Sequence, residues 1–290
     1  MKPYRVPELA QKFFQYDMIQ NHTELPDFPD ARVHLLYIFM QYHSARSKPE
    51  REELYALAAS LVQMGLDTHE SIDTNAEHQK EEHMRSRQLK VLAGDYFSSR
   101  FYQLLARSGD IESIALLSRA VSEVNVMKMR LYSRMKEMLL PSEEYLGYMV
   151  QLNMQLFLSF TPMIDEASRD LWKHLLQEFT RCETILRELD RSTTPNHGAE
   201  SYSYWSILEQ GSEEEKSMLT KKTVDSRDWK DLIRRHRTVE SLLDKLRQSV
   251  DCIQSSVTAW SGKGGAAHIG HLVQPFIQRL NQCRPAVREG

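Results

Sequence analysis

QLKVLAGDYFSSRFYQLLA, residues 88–106, is apolar at Val91, Leu92, Ala93, Phe97, Phe101, Leu104 and Leu105, which leaves almost no polar side to a helix. A helix that is hydrophobic nearly all round belongs in the middle of a bundle. The rest of the chain is read outward from that expectation. DARVHLLYIFMQYH, residues 30–43, marks a broad apolar helix face with Val33, Leu36, Ile38, Phe39 and Tyr42, and ELYALAASLVQMGL, residues 53–66, continues with Leu54, Leu57, Leu61 and Met64. This is the three-and-four spacing of helices. With only 11 Gly and 10 Pro, and few runs of period two, the punctuation between many short strands is missing.

Downstream, residues 110–140 predict a helix capped by Asp110 and stopped by Pro141, and residues 142–160 and 165–191 predict two more. Residues 192–228 lose periodicity and gain Ser, Thr, Gly and charge, so they read as a linker or mobile insertion with one short helix. Beyond them Leu232, Val239, Leu246 and Ile253 fall seven apart, with His236, Leu243, Val250 and Val257 interleaved. That spacing makes a seam, either core-facing within the bundle or turned to a partner. SGKGGAAHIG then reads as a turn before a last short helix. The expectation is an all-α chain: a helical bundle over 1–191, a linker over 192–228, and C-terminal helices over 229–290 that pack on the bundle or on a partner.

Composition narrows the function. At 41% hydrophobic and 27% charged residues the chain reads as globular, and its net charge of -3 gives no global field for nucleic acid. No segment approaches the ~20 apolar residues of a membrane span, so a cytoplasmic protein is expected, at most peripheral to a membrane. Cys182, Cys252 and Cys283 are odd in number and lack CxxC spacing, which predicts reduced thiols. His78 and His83 lack a closed zinc ligand set, as do His268 and His271, and Lys263 stands outside any P-loop pattern.

Two stretches carry chemistry. In GLDTHESID, residues 65–73, His69, Glu70 and Asp73 stand at i, i+1 and i+4 and would share a helix face. Asp95, following Gly94 in an apolar helix, reads as a buried polar anchor or as a contact to substrate or partner. The segment VLAGDY, residues 91–96, at its distance after THESID, resembles the trans-prenyl diphosphate synthases. LDTHESID, RSRQLKVLAGDYFSSRFYQLLA and RAVSEVNVMKMRLY together look like component I of heptaprenyl diphosphate synthases, the small subunit of a two-component bacterial enzyme. The likeness is specific over residues 55–135.

The resemblance implies an isoprenoid-synthase-like helical bundle and a catalytic partner, the component II subunit bearing the DDxxD motifs. That partner would hold Mg²⁺ for condensing farnesyl diphosphate with isopentenyl diphosphate on the way to menaquinone, and this chain would bind no cofactor alone. Hard oxygen ligands hold Mg²⁺ against diphosphate, and an imidazole is a poor substitute. His69, Glu70 and Asp73 therefore read as the remnant of a diphosphate motif, or as an interface element. A second DDxxD is absent; the counterpart region offers Glu183, Glu188 and Asp190 at another spacing. Phe97 and Phe101 read as core residues or, on the resemblance, as candidates for the wall that limits a growing polyprenyl chain. Rival expectations are an autonomous enzyme of the same fold with an altered metal set, and a helical adaptor unrelated to isoprenoids that uses the 229–257 seam.

Overall fold

The computed structural model describes residues 3–15, 19, 23–42, 51–72, 81–137, 140–193, 201–221, 223–260 and 265–283, the side chains of 81–83 excepted. The order is α1 (Val6–Phe14), α2 (Asp30–Tyr42), α3 (Glu52–Glu70), α4 (Glu81–Arg107), α5 (Ile111–Lys136), α6 (Ser142–Leu158) and α7 (Arg169–Thr193). Then come α8 (Tyr202–Gln210), α9 (Glu213–Thr220), α10 (Ser226–Arg235), α11 (Thr238–Ala259), α12 (Ala266–Leu272) and α13 (Gln274–Gln282). Two 3₁₀ turns, Thr161–Met163 and Glu166–Ser168, precede α7, and no element among the described residues is a strand. No described helix is long and apolar enough to cross a membrane. The chain divides into two compact units, one of Met1–Val121 with Leu156–Trp172, the other of Ser122–Gln155 with Lys173–Gly290.

The first unit is centred on α2, where Val33, Leu35, Leu36, Ile38 and Phe39 are fully buried. Arg32 is buried among them, its guanidinium 5.2 Å from the centre of the Phe157 ring. A cation over an aromatic face recovers part of the desolvation cost. Helix α3 meets α4 at two glycines. A Cβ on Gly65 would stand 2.5 Å from Ser98 Oγ and 3.1 Å from the Gly94 carbonyl, and one on Gly94 would stand 1.8 Å from the His69 ring. The glycine of AGDY is thus a close-approach residue.

Helix α4 corrects the expectation with which the sequence began. Ala93, Phe97, Phe101 and Leu105 are buried, but Met84, Val91, Leu92 and Tyr102 are exposed. It lines the core on one face and presents a second apolar face outward.

Asp110 caps α5 as the sequence predicted, its Oδ1 accepting from the Ser113 amide at 3.2 Å. Its other oxygen accepts from Tyr55 at 2.7 Å and pairs with Arg51. Burial raises the Asp110 pKa, but the hydrogen bonds from Tyr55 and Ser113 and the Arg51 charge outweigh it, so the net shift is downward. A depressed carboxylate contributes stability above its ordinary value of about 3.9 and loses it as the pH falls through the lower folded value. Asp110→Asn keeps an acceptor for the cap but discards the charge. It is expected to cost about 1–2 kcal/mol at pH 7 in urea unfolding, and to cost less at acid pH.

The second unit is organised by α7, whose Leu175, Leu176, Phe179, Cys182 and Ile185 are fully buried. Phe276 of α13 packs on Phe179 with ring centres 6.2 Å apart. Burial also pushes the Cys182 thiol well up, and the three cysteines are free.

Two expectations change here. The segment 192–228, read as a linker with one short helix, carries α8, α9 and the start of α10 among its described residues. Each helix has a polar cap: Ser201 accepts from Tyr204 N, Ser212 and Glu215 form a reciprocal capping box, and Asp225 accepts from the amides of Arg227 and Asp228. Ile207, Leu219, Trp229 and Leu232 then build a small core of their own. The seam of 229–257 is likewise interrupted, because α10 ends at Arg235 and Arg237 takes a left-handed φ of 50°. Its Leu232, Leu246, Val250 and Ile253 are core residues, and His236 Nε2 meets Glu215 Oε2 at 3.1 Å.

Candidate functional site

The stretch GLDTHE is the last turn and a half of α3, with Ser71 at its C-cap. Thr68 is fully buried and its hydroxyl bonds back to the Met64 carbonyl at 2.6 Å, whereas His69 and Glu70 emerge into solvent. The helix stops at Glu70, where the Ser71 amide donates to the Asp67 carbonyl and Lys90 Nζ donates to the Ser71 carbonyl at 3.1 Å. A cation at a helix C-terminus satisfies carbonyls that have lost their intrahelical donors. The helix face proposed for His69, Glu70 and Asp73 would need a further turn; α3 does not supply it, and Asp73 lies outside the described residues, as does His78.

Asp95 is exposed, not buried. Ala93, Phe97 and Phe101 succeed one another at four and point inward, which turns residue 95 to the other side of α4. Its Oδ1 stands 3.4 Å from His69 Nε2, with the two side chains 66% and 41% exposed. The two sequence motifs therefore meet, at Gly94 and Asp95 on one helix and His69 on the other. A polar contact so open to water contributes at most about 1 kcal/mol.

Phe97 and Phe101 are core residues: Phe97 packs edge-on against Phe14 with ring centres 5.3 Å apart, and Phe101 lies against Tyr102. The carboxylate buried in this stretch is Asp67, which the sequence reading passed over. It accepts from Gln63 Nε2 at 2.8 Å, and the available signal was that amide one helical turn earlier.

In the second unit the region read as the degenerate second motif is structural. Glu188 accepts from the Tyr202 amide at 2.6 Å and from Tyr145 and Arg191 at 3.2 Å each, while Asp190 accepts from Arg279 at 3.0 Å. The i, i+1, i+4 register from Glu183 runs through buried Thr184 to Arg187, whose Nη1 donates to Asn153 Oδ1 at 3.3 Å. A guanidinium where a third carboxylate would be needed does not fit Mg²⁺. Among the described residues no three His, Cys, Asp or Glu side chains are grouped to hold a metal ion.

Comparison with known proteins decides the family. Residues 16–235 match the family model of heptaprenyl diphosphate synthase (HEPPP synthase) subunit 1. The chain belongs to that family. It is also 39% identical over 93 residues to heptaprenyl diphosphate synthase component 1 of Geobacillus stearothermophilus, a match spanning 32% of this chain and 40% of that protein.

Solved structures show the fold. The heptaprenyl diphosphate synthase of Staphylococcus aureus superposes with a TM-score of 0.67 at 11% identity, covering 96% of each chain. A decaprenyl diphosphate synthase from Rhodobacter capsulatus gives 0.66 at 11% identity, covering 97% of this chain and 95% of that one. This member of the subunit 1 family thus has the helical fold of polyprenyl synthases.

Proposed function

We propose that this chain is the non-catalytic subunit of a two-component heptaprenyl diphosphate synthase acting in menaquinone side-chain synthesis. Its partner, a component II subunit with DDxxD motifs, carries the Mg²⁺ chemistry on farnesyl and isopentenyl diphosphates. The observation that carries the reading is where the exposed large apolar side chains lie. Met84, Val91, Leu92 and Tyr102 are on α4, and Ile111, Val126, Met129 and Tyr132 are on α5. In the second unit Val126 and Met129 line an open groove of ≈ 650 Å³ with Tyr148 and the side chains of Arg130 and Arg134.

Apolar side chains concentrated in this way mark, in each unit taken by itself, a face that another protein covers, and aromatic residues, Met and Arg are the types enriched there. A subunit 1 family name supports the other component as the occupant. Arg187 in the second acidic register, and α3 ending at Glu70, support a division of labour in which this chain does not ionise the allylic substrate.

The test is to incubate the pure chain with farnesyl diphosphate, isopentenyl diphosphate and Mg²⁺, alone and with a DDxxD-bearing subunit of the same organism. Polyprenyl product is expected only from the mixture. Product from this chain alone would overturn the division of labour, and a mixture no more active than the DDxxD subunit by itself would overturn the subunit role.

A further inference from the structure

Within the second unit a cavity of ≈ 170 Å³ lies between α6 and α7, with Leu146, Val150 and Met154 as its apolar lining. Its polar lining includes Gln151 of α6 and Gln177 and Arg181 of α7. Arg181 Nε is buried without a hydrogen-bond acceptor, and its guanidinium has no salt-bridge partner among the described residues. A buried donor left unpaired is costly, and Nε is that donor on a side chain that is otherwise partly exposed. The carboxylate at the cavity, Glu143, is engaged elsewhere: Lys245 Nζ is 2.6 Å away and the Tyr202 hydroxyl donates to it at 3.0 Å.

Gly147 completes the lining and is the second observation. It sits inside α6, where glycine is the poorest helix former after proline. Its φ is not positive, and a Cβ built on it meets nothing within 4 Å, so neither a turn nor close packing asks for glycine. Gly147 is exposed, so what the missing side chain does is leave the mouth of the cavity open.

We propose that this cavity binds a small aliphatic monocarboxylate, its carboxylate on Arg181 and its tail against Leu146, Val150 and Met154. One guanidinium matches one negative charge, and its planar fork fits a carboxylate in two-point contact. Gln151 and Gln177 supply further neutral donors. The volume is near that of a cavity of about 150 Å³ that accepts a benzene ring, so the ligand has about five or six carbons.

Isovalerate titrated calorimetrically into the full chain is the probe, with inorganic phosphate as a head without a tail and isoamyl alcohol as a tail without a charge. Saturable isovalerate binding is expected, at least about tenfold tighter than either control. Arg181→Gln should weaken it by at least about tenfold, the loss of a charge-assisted two-point contact. Gly147→Leu, which leaves Arg181 unaltered, should abolish it by covering the mouth of the cavity while leaving the thermal midpoint near that of the unaltered chain. It decides the matter alone if Arg181→Gln does not fold. No binding by the unaltered chain, phosphate binding as tight as isovalerate, or binding retained in Gly147→Leu would each overturn the site.

Discussion

Leu92→Asp and Met129→Asp, each made singly, are expected to weaken association with the DDxxD subunit by about 30-fold or more, since a central apolar anchor in an interface contributes about 2 kcal/mol or more. Both side chains stand largely in water in the isolated chain, Leu92 at 62% and Met129 at 65% exposure. Their replacement should therefore leave folding of this chain within about 0.5 kcal/mol of its starting value. That separation gives the experiment its force: circular dichroism and the thermal midpoint stay put while sedimentation of the mixture shifts to free subunits. Product formation in the mixture should fall in parallel and recover at high subunit concentration, because mass action restores the complex. Gln248→Asp, at an exposed position of α11, should change none of these readings. If both substitutions leave affinity intact, the faces of α4 and α5 are not where the partner binds.

The same residues explain what was legible in the sequence. An all-α class follows from spacing alone, and the cap at Asp110 was visible because Asp before an apolar run has one local meaning. The role of α4 was not. Residues 88–106 are apolar nearly all round, and composition cannot say whether the second face is buried in this chain's own core; the exposure of Val91, Leu92 and Tyr102 shows that it is not. The short helices of 192–228 escaped for a different reason. Helices of eight or nine residues give too few turns for periodicity to rise above polar background, so their signal is in the caps, above all Ser212 with Glu215 three residues on.

The candidate site was read less well, because its geometry depends on where a helix stops. THESID was read as continuing through Asp73, but the chain leaves α3 after Glu70. The apolar neighbours of Asp95 make it a buried anchor or a contact to substrate or partner; the four-residue step from Ala93 to Phe97 to Phe101 places it outside, which removes the first reading and leaves the second. The contact of His69 with Asp95 and the fit of its ring against Gly94 are tertiary facts, and no spacing within either motif encodes them.

The second large effect concerns Glu188, which holds the start of α8 onto α7. It is 1% exposed, and it accepts from the Tyr202 amide, the Tyr145 hydroxyl and Arg191. Glu188→Ala strands the amide and the hydroxyl without an acceptor and is expected to cost about 2–3 kcal/mol in urea unfolding. Glu188→Gln retains a carbonyl for the Tyr202 amide, so its cost should be less than about 1 kcal/mol.

The pH response carries a sign that distinguishes this carboxylate from Asp110. Burial raises the Glu188 pKa, and Arg191 with the Tyr202 and Tyr145 hydrogen bonds only partly offset it. A raised folded value contributes stability that is fully present below the unfolded value of about 4.3 and is lost as the pH rises through the folded one. Unfolding free energies of the unaltered chain and Glu188→Gln should therefore diverge as the pH falls toward about 4.3, with the unaltered chain gaining, while the contribution of Asp110 changes only at lower pH and in the opposite direction. Equal losses in the Ala and Gln variants would mean that the charged carboxylate, which both remove, is what counts rather than an acceptor for the Tyr202 amide, and parallel pH curves would mean that the folded pKa of Glu188 is not raised.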